Sequence, residues 1–254
     1  MAKTPPQDST KKRKVGFIGC PPAEVMARFR RDELIDLDNL ILELSVSDSE
    51  KLLPATTCRI IKRILDNALG LELDLIIFDD GYSKCDNARF LGRLLESQLK
   101  EVPLIHTQND STESRGTPVS DSGLSLSEKV SLILEDLARP SERKDLTPCP
   151  DPPAGFWGVP CADESIYDLF PRGTLVLGWL RCCENRTPAD LELECWVPPG
   201  LPTVFFAQTF CSKNILAKHL AAEHNGLYLD VDGTVSRSER AKVEAFLHFR
   251  KAGH

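Results

Sequence analysis

The sequence predicts an α/β protein of two similar lobes with mainly parallel sheets, and three observations carry that reading. Short apolar runs alternate with amphipathic stretches along the chain, as strands joined by crossover helices do. A charged, proline-rich stretch at residues 140–153 divides the chain. The two halves open on related turns, GFIGCPPAE at residues 16–24 and GFWGVPCADE at residues 155–164. The expected organisation is a basic and polar tail over residues 1–14, a first α/β lobe over 15–139, the linker, and a second α/β lobe over 154–254.

In the first half, residues 15–19 are a short apolar run closed by Cys20-Pro21-Pro22, which predicts a buried strand, a tight turn and a helix after it. Residues 40–46 read as a second strand. Residues 56–69 set Ile60, Ile61, Ile64, Leu65 and Ala68 at helical spacing ahead of Gly70. Residues 73–78 form a continuous apolar strand apart from Asp74, stopped by Asp79-Asp80-Gly81, and a helix over 86–99 and a strand over 103–107 follow. Residues 108–123 hold scarcely an apolar side chain and read as a long surface loop, a candidate lid or binding loop. Ser125 and Glu128 then make a capping box ahead of the stripe Val130, Leu132, Ile133, Leu134 and Leu137.

In the second half, a helical turn is expected over residues 163–169 and a strand over 174–180. Residues 191–197 alternate apolar and acidic, which predicts a half-exposed strand with Leu191, Leu193, Cys195 and Val197 on one face. A strand over 203–207, a helix over 215–222, a strand over 227–231 and a terminal helix over 236–249 complete the series, the last opened by a capping box of Ser236 and Glu239. Three landmarks recur in order, Gly16 with Gly155, Cys85 with Cys211, and Ser125 with Ser236, at spacings that fall from 139 through 126 to 111. Shrinking offsets are what shorter loops in a second copy produce, and they predict internal duplication. Each lobe is expected to be layered in the Rossmann-like manner, with helices on both faces of its sheet. Neither turn carries G-x-G-x-x-G or a Gly-Lys-Ser/Thr, so their glycines and prolines are read as fixing sharp turns.

The chain has 254 residues, 41% hydrophobic and 27% charged, ordinary values for a globular protein that buries its own core. A net charge of −7 argues against general nucleic-acid binding, which needs a surplus of Lys and Arg to displace counterions. No apolar run has the length of a signal peptide or membrane span, so a cytoplasmic protein without a membrane association is expected. The basic run at residues 11–14 is read as solvated, and the sequons at Asn109 and Asn185 as chance. Nine cysteines, an odd number, fit thiols in a reducing compartment better than a disulfide framework.

Ligands of parallel sheets bind beyond the carboxyl ends of the strands, and that rule selects the candidate residues. Cys20, Cys85, Cys182, Cys183 and Cys211 all fall near predicted strand ends, where thiolates would hold zinc or an iron–sulfur cluster. Cys161 mirrors Cys20, while Cys58 and Cys195 read as small core hydrophobes. No Cys-x-x-Cys pair or ferredoxin spacing supports the metal reading. Gly19, Pro21, Asp79, Asp80, Gly158 and Pro160 would frame a cofactor cleft between the lobes. His106, at a strand end, is a candidate acid, base or ligand, and Arg115, the one cation of residues 108–123, a candidate anion clamp.

Asp230 and Asp232 lie in a DVDGT segment that is similar to the haloacid-dehalogenase-type phosphatase motif, but only 20 residues follow Thr234, too few for the rest of that site. Phe156, Trp157 and Trp179 supply aromatic mass near the second turn, for core packing first and for stacking on a planar cofactor second. The expected function is that of a thiol-rich protein binding a metal centre or cofactor between its lobes, as an enzyme or a maturation factor. The alternative is a non-catalytic binding or assembly protein that engages a protein partner.

Overall fold

The computed structural model describes residues 12–39, 42, 47–141 and 146–251. The first lobe runs β1 (Lys14–Ile18), α1 (Ala23–Arg28), β2 (Glu33–Asp36), α2 (Ser49–Leu52), α3 (Arg59–Gly70), β3 (Leu75–Asp79), α4 (Asp86–Gln98) and β4 (Leu104–Thr107). Helix α5 (Leu126–Ala138) leads to the second lobe: β5 (Gly155–Trp157), a 3-10 helix (Glu164–Leu169), β6 (Leu175–Leu177), α6 (Trp179–Asn185), α7 (Leu191–Cys195), β7 (Thr203–Gln208), α8 (Lys213–Glu223), β8 (Leu227–Val231) and α9 (Arg237–Lys251). No helix of the described residues is long and apolar enough to cross a membrane.

Both sheets have four parallel strands, in the orders β2-β1-β3-β4 and β6-β5-β7-β8. The two orders are the same pattern displaced by one lobe. In each, the chain leaves the first strand toward one edge and returns to build the other, so a crevice opens where the direction switches, beyond β1 and β3 in one lobe and beyond β5 and β7 in the other.

Three apolar clusters hold the layers together. One face of the first sheet packs on α3 and α4 through Ile61, Ile64, Leu65, Leu91 and Leu95, and one face of the second packs on α8 through Ala217, Leu220 and Ala221. The remaining faces share one core, in which Val15, Phe17, Leu75 and Ile77 of the first lobe join Phe156, Val176, Val204 and Phe206 of the second. Helix α5 supplies Leu126, Val130, Ile133 and Leu137 to that shared core and contacts β2, α6, β6 and the 3-10 helix. Both expected capping boxes are present: Ser125 and Glu128 close the start of α5, and Ser236 and Glu239 exchange hydrogen bonds at the start of α9.

Three elements differ from the sequence reading. The strand expected over residues 40–46 lies outside the described residues apart from Leu42, which is in no strand; the strand beside β1 is β2, whose acidic edge disguises it. Residues 191–195 form α7 and not a strand, because the Asp190 carboxylate accepts from the Leu193 amide at 2.9 Å and Glu192 and Glu194 favour a helix N-terminus. The expected strand over 174–180 stops at Leu177, because Gly178 has φ +68° and a Cβ there would stand 2.8 Å from the Trp157 ring. Helix α6 starts at that glycine and ends at Arg186, itself left-handed at φ 58°.

Residues 108–123 are less exposed than a surface loop, since Asn109, Ser120 and Ser122 are buried. Their polar groups are fastened to both lobes. Asn109 Nδ2 donates to the carbonyls of Cys20 and Arg186 at 2.9 and 3.2 Å, and the Arg115 amide donates to Asn185 Oδ1 at 2.9 Å. The Glu184 carboxylate accepts from the amides of Val119 and Ser120, at 2.6 and 2.9 Å, and from the Ser120 hydroxyl. Lys129, wholly buried, donates to the carbonyls of Ser120 and Thr174 at 2.9 and 2.6 Å, and burial lowers its pKa to about 8. Asn109 and Asn185, the two sequon asparagines, are thus enclosed structural groups.

Candidate functional site

The two switch-point crevices open onto a common cleft of about 520 Å³ between the lobes. Ile18 and Gly19 reach it from the end of β1, Phe78 and Asp79 from β3, Val159 and Pro160 from beyond β5, and Phe210 and Cys211 from beyond β7. Leu134 and Leu137 of α5 close one side. Gly19 makes its turn with φ +80°, and a side chain there would meet Lys84 at 3.0 Å.

Three helices begin at this cleft. Cys58, Cys85 and Ser212 are the N-caps of α3, α4 and α8, all three line the cleft, and none makes a side-chain cap hydrogen bond. Each start presents amide N–H groups and the positive end of a helix dipole. Beside them stand two lysines from different lobes. Lys84 Nζ lies 2.9 Å from Asp79 Oδ2 and 4.6 Å from the Trp179 ring centroid. Lys213 Nζ lies 5.1 Å from the same ring and is ion-paired to Glu194 at 2.5 Å. Burial disfavours the Lys84 charge, but the Asp79 carboxylate outweighs it and the pKa is raised. Asp79 is fixed by the amides of Cys20 and Asn109, at 3.2 and 3.3 Å, and so anchors both the first turn and the start of residues 108–123.

Cysteines pair across the lobes. Cys20 and Cys183 share a hydrogen bond in the interior; that bond, with Arg186 and Lys84 nearby, lowers the Cys20 pKa against burial, whereas burial drives Cys183 well up. Cys211 packs against the cluster that holds Cys58, both line the cleft, and each thiol acts on the other's proton affinity. The effect of Cys211, helped by the Ile60 and Ile61 amides at the start of α3, outweighs burial and brings the Cys58 thiol down to about 7.

Of the residues expected to bind metal, Cys85, Cys183 and Cys211 line the cleft. Cys20 is buried behind it, and the Cys182 thiol is directed to the Asp190 carbonyl at 3.7 Å. Cys161 is buried and its thiol pKa raised well up by that burial. Among the described residues no group of three or more His, Cys, Asp or Glu is placed to hold a metal ion. Of the residues expected to frame a cofactor, Gly19, Asp79 and Pro160 line the cleft, whereas Pro21, Asp80 and Gly158 are not among its lining residues.

The three acid–base and clamp candidates lie elsewhere. His106 bridges Asp80 and Glu96 at 2.8 and 3.0 Å on the flank of the first lobe, where these carboxylates overcome partial burial and raise its pKa. Arg115 lies 4.0 Å from Asp136 in a separate depression with Val119 and Glu184. Asp230 accepts from Thr209 Oγ1 at 2.6 Å and Asn214 Nδ2 at 3.3 Å. Of the three aromatics singled out in the second half, Phe156 and Trp157 are core residues and Trp179 lines the cleft.

Sequence reasoning passed over Lys84 and Lys213 and read Cys58 as a small core hydrophobe; Cys58 is in a buried cluster and also lines the cleft. The lysines had a signal: each flanks one of the repeated cysteine landmarks, in Ser83-Lys84-Cys85 and in Cys211-Ser212-Lys213. A comparison with protein-family models and with curated proteins finds no match for this chain.

Proposed function

We propose that the chain binds a small organic anion, a cofactor or substrate, in the cleft between its lobes. The observation that carries this reading is that Lys84 and Lys213, from different lobes, lie 4.6 and 5.1 Å from the Trp179 ring centroid at the cleft where α3, α4 and α8 begin. Helix N-termini and ammonium groups together suit phosphate or carboxylate. Ile60, Ile61, Ile64 and Leu91 give the same cleft an apolar wall for the body of such a ligand. Asp79 and Glu194 already pair with the lysines, so the field at the site is moderate and favours a ligand that also buries apolar surface.

The two lobes are read as copies of one ancestral unit, and their shared strand pattern and the matching position of Cys85 and Cys211 at helix starts support this. The cleft is then built from equivalent edges of both copies. The placement of the cysteines supports the small-molecule half of the sequence expectation over zinc or an iron–sulfur cluster.

Thermal unfolding in the presence of nucleotides, sugar phosphates, acyl thioesters of coenzyme A and dicarboxylates tests the proposal. At a hundredfold excess over Kd a bound ligand adds about 2.7 kcal/mol to stability. A rise in Tm with at least one class, abolished by Lys213→Gln, is expected. Absence of any such rise, or a rise unchanged in Lys213→Gln, refutes the reading. A second reading, docking of a protein partner over the cleft, is favoured by Phe210 and Ile215, which line it and are 52% and 82% exposed, and by Tyr82, 77% exposed and next in the chain to the lining residue Ser83. It predicts that Tyr82→Ser weakens partner capture and leaves small-anion binding intact.

A further inference from the structure

Cys58 and Cys211 belong to different lobes, Cys211 packs against the apolar cluster that holds Cys58, and their positions make them more than packing. Cys58 is the N-cap of α3, Cys211 follows β7, and both line the open cleft. The surfaces that carry them are in direct contact along a seam: Arg59 Nη1, next to Cys58, lies 3.9 Å from Asp232 Oδ1, and its guanidinium sits against Gly233 of the second lobe. The other cross-lobe pair differs in access. Cys20 has no exposed surface and does not line the cleft, so a reagent cannot reach it without opening the shared core, whereas Cys58 is 6% exposed and Cys211 half-buried, both at the cleft wall.

We propose that Cys58 and Cys211 form a reversible disulfide that ties the two lobes together across the cleft, made by exchange with a low-molecular-weight disulfide such as glutathione disulfide. The Cys58 thiolate attacks one sulfur of the disulfide, breaks its S–S bond and expels the first thiolate, which takes up the proton that Cys58 gave to solvent. Cys211 then attacks the Cys58 sulfur of the mixed disulfide, loses its own proton and expels the second glutathione as its thiol. The dithiol is oxidised and one glutathione disulfide is reduced to two glutathiones. The helix start that stabilises a thiolate at Cys58 makes it the attacking group, and Cys211 is the resolving one. In a reducing compartment such bonds are transient, which suits a response to oxidation.

The test uses the full chain, reduced and then incubated with glutathione disulfide, quenched by alkylation, digested and mapped by mass spectrometry. The expected product joins the Cys58 and Cys211 peptides with the loss of two hydrogens, and dithiothreitol reverses it. In Cys211→Ser the first step has no resolving thiol, so glutathione stays attached to Cys58. Recovery of Cys58 and Cys211 fully alkylated from the wild-type chain, or a disulfide from Cys58 to Cys85, or from Cys20 to Cys183 in their place, overturns the proposal. The wild-type map alone decides this, whether or not either variant folds.

Discussion

Replacing Glu184 with Ala removes the acceptor that fastens residues 108–123 to helix α6, and the structure sets the size of the effect. Three donors lose their partner: the amides of Val119 and Ser120, at 2.6 and 2.9 Å, and the Ser120 hydroxyl. Ser120 has no exposed surface, so its amide cannot turn to water in place. A buried donor left unpaired costs about 1–3 kcal/mol, and two amides therefore cost about 2–6. The burial that raises the Glu184 pKa is itself a cost, and its removal returns part of this. A net loss of about 3 kcal/mol remains, confined to a segment that is otherwise held by Asn109, Asn185 and Lys129. Local opening by that amount speeds amide exchange roughly a hundredfold. Native-state hydrogen exchange of the peptide spanning residues 115–122 reads it directly, with Glu192→Ala on the exposed face of α7 as the control. Exchange at Ser120 within a factor of about three of wild type, alongside an unchanged urea midpoint, refutes the clamp.

Three further outcomes are expected. Lys129 gives up its proton near pH 8 when folded and near 10.5 when unfolded, so the unfolded state holds the extra proton in between and stability rises with pH across that window; Lys129→Met loses this slope in urea titrations at successive pH values. Cys58 alkylates with a midpoint near pH 7, facing Cys85, Cys211 and the start of α3, and because Cys211 is the leading cause, Cys211→Ala moves the midpoint upward; an unmoved midpoint contradicts that cause. Gly178→Ala forces a side chain into a left-handed conformation 2.8 Å from Trp157 and should destabilise the fold by at least about 2 kcal/mol by urea denaturation.

The strands and helices that the sequence discloses are those whose burial is one-sided or complete. β3 is buried at every position and β8 is bounded by Gly226 and an Asp-Gly turn, so both can be read from apolar runs and their punctuation. β2 escapes because Glu33 and Asp36 interrupt it and its apolar residues are only two. α6 escapes because six of its seven residues are buried, including Arg181, Glu184 and Asn185, so it shows no polar face from which a helical period could be read. The cleft was legible only edge by edge. Cys85, Cys183 and Cys211 follow from the rule about strand ends, but the placing of Lys84 and Lys213 near one tryptophan, and of Cys58 and Cys211 on one cleft, is made by docking one lobe on the other. Local pattern carries no trace of a contact between residues 153 apart.

Helix α5 gives the cleft a mechanical character. A protein that closes on its ligand like a pair of jaws needs a seam that can part, with few apolar contacts across it. Here the seam is filled by Leu126, Val130, Ile133 and Leu137, which share one continuous buried cluster with Phe17 and Ile77 of the first lobe and Phe156 and Phe206 of the second. Swinging the lobes apart would expose that filling to water. The width of the cleft is therefore fixed by the core beneath it, so a ligand of the proposed kind would be selected by its cross-section, with side-chain movement around the opening as the cheap form of adjustment.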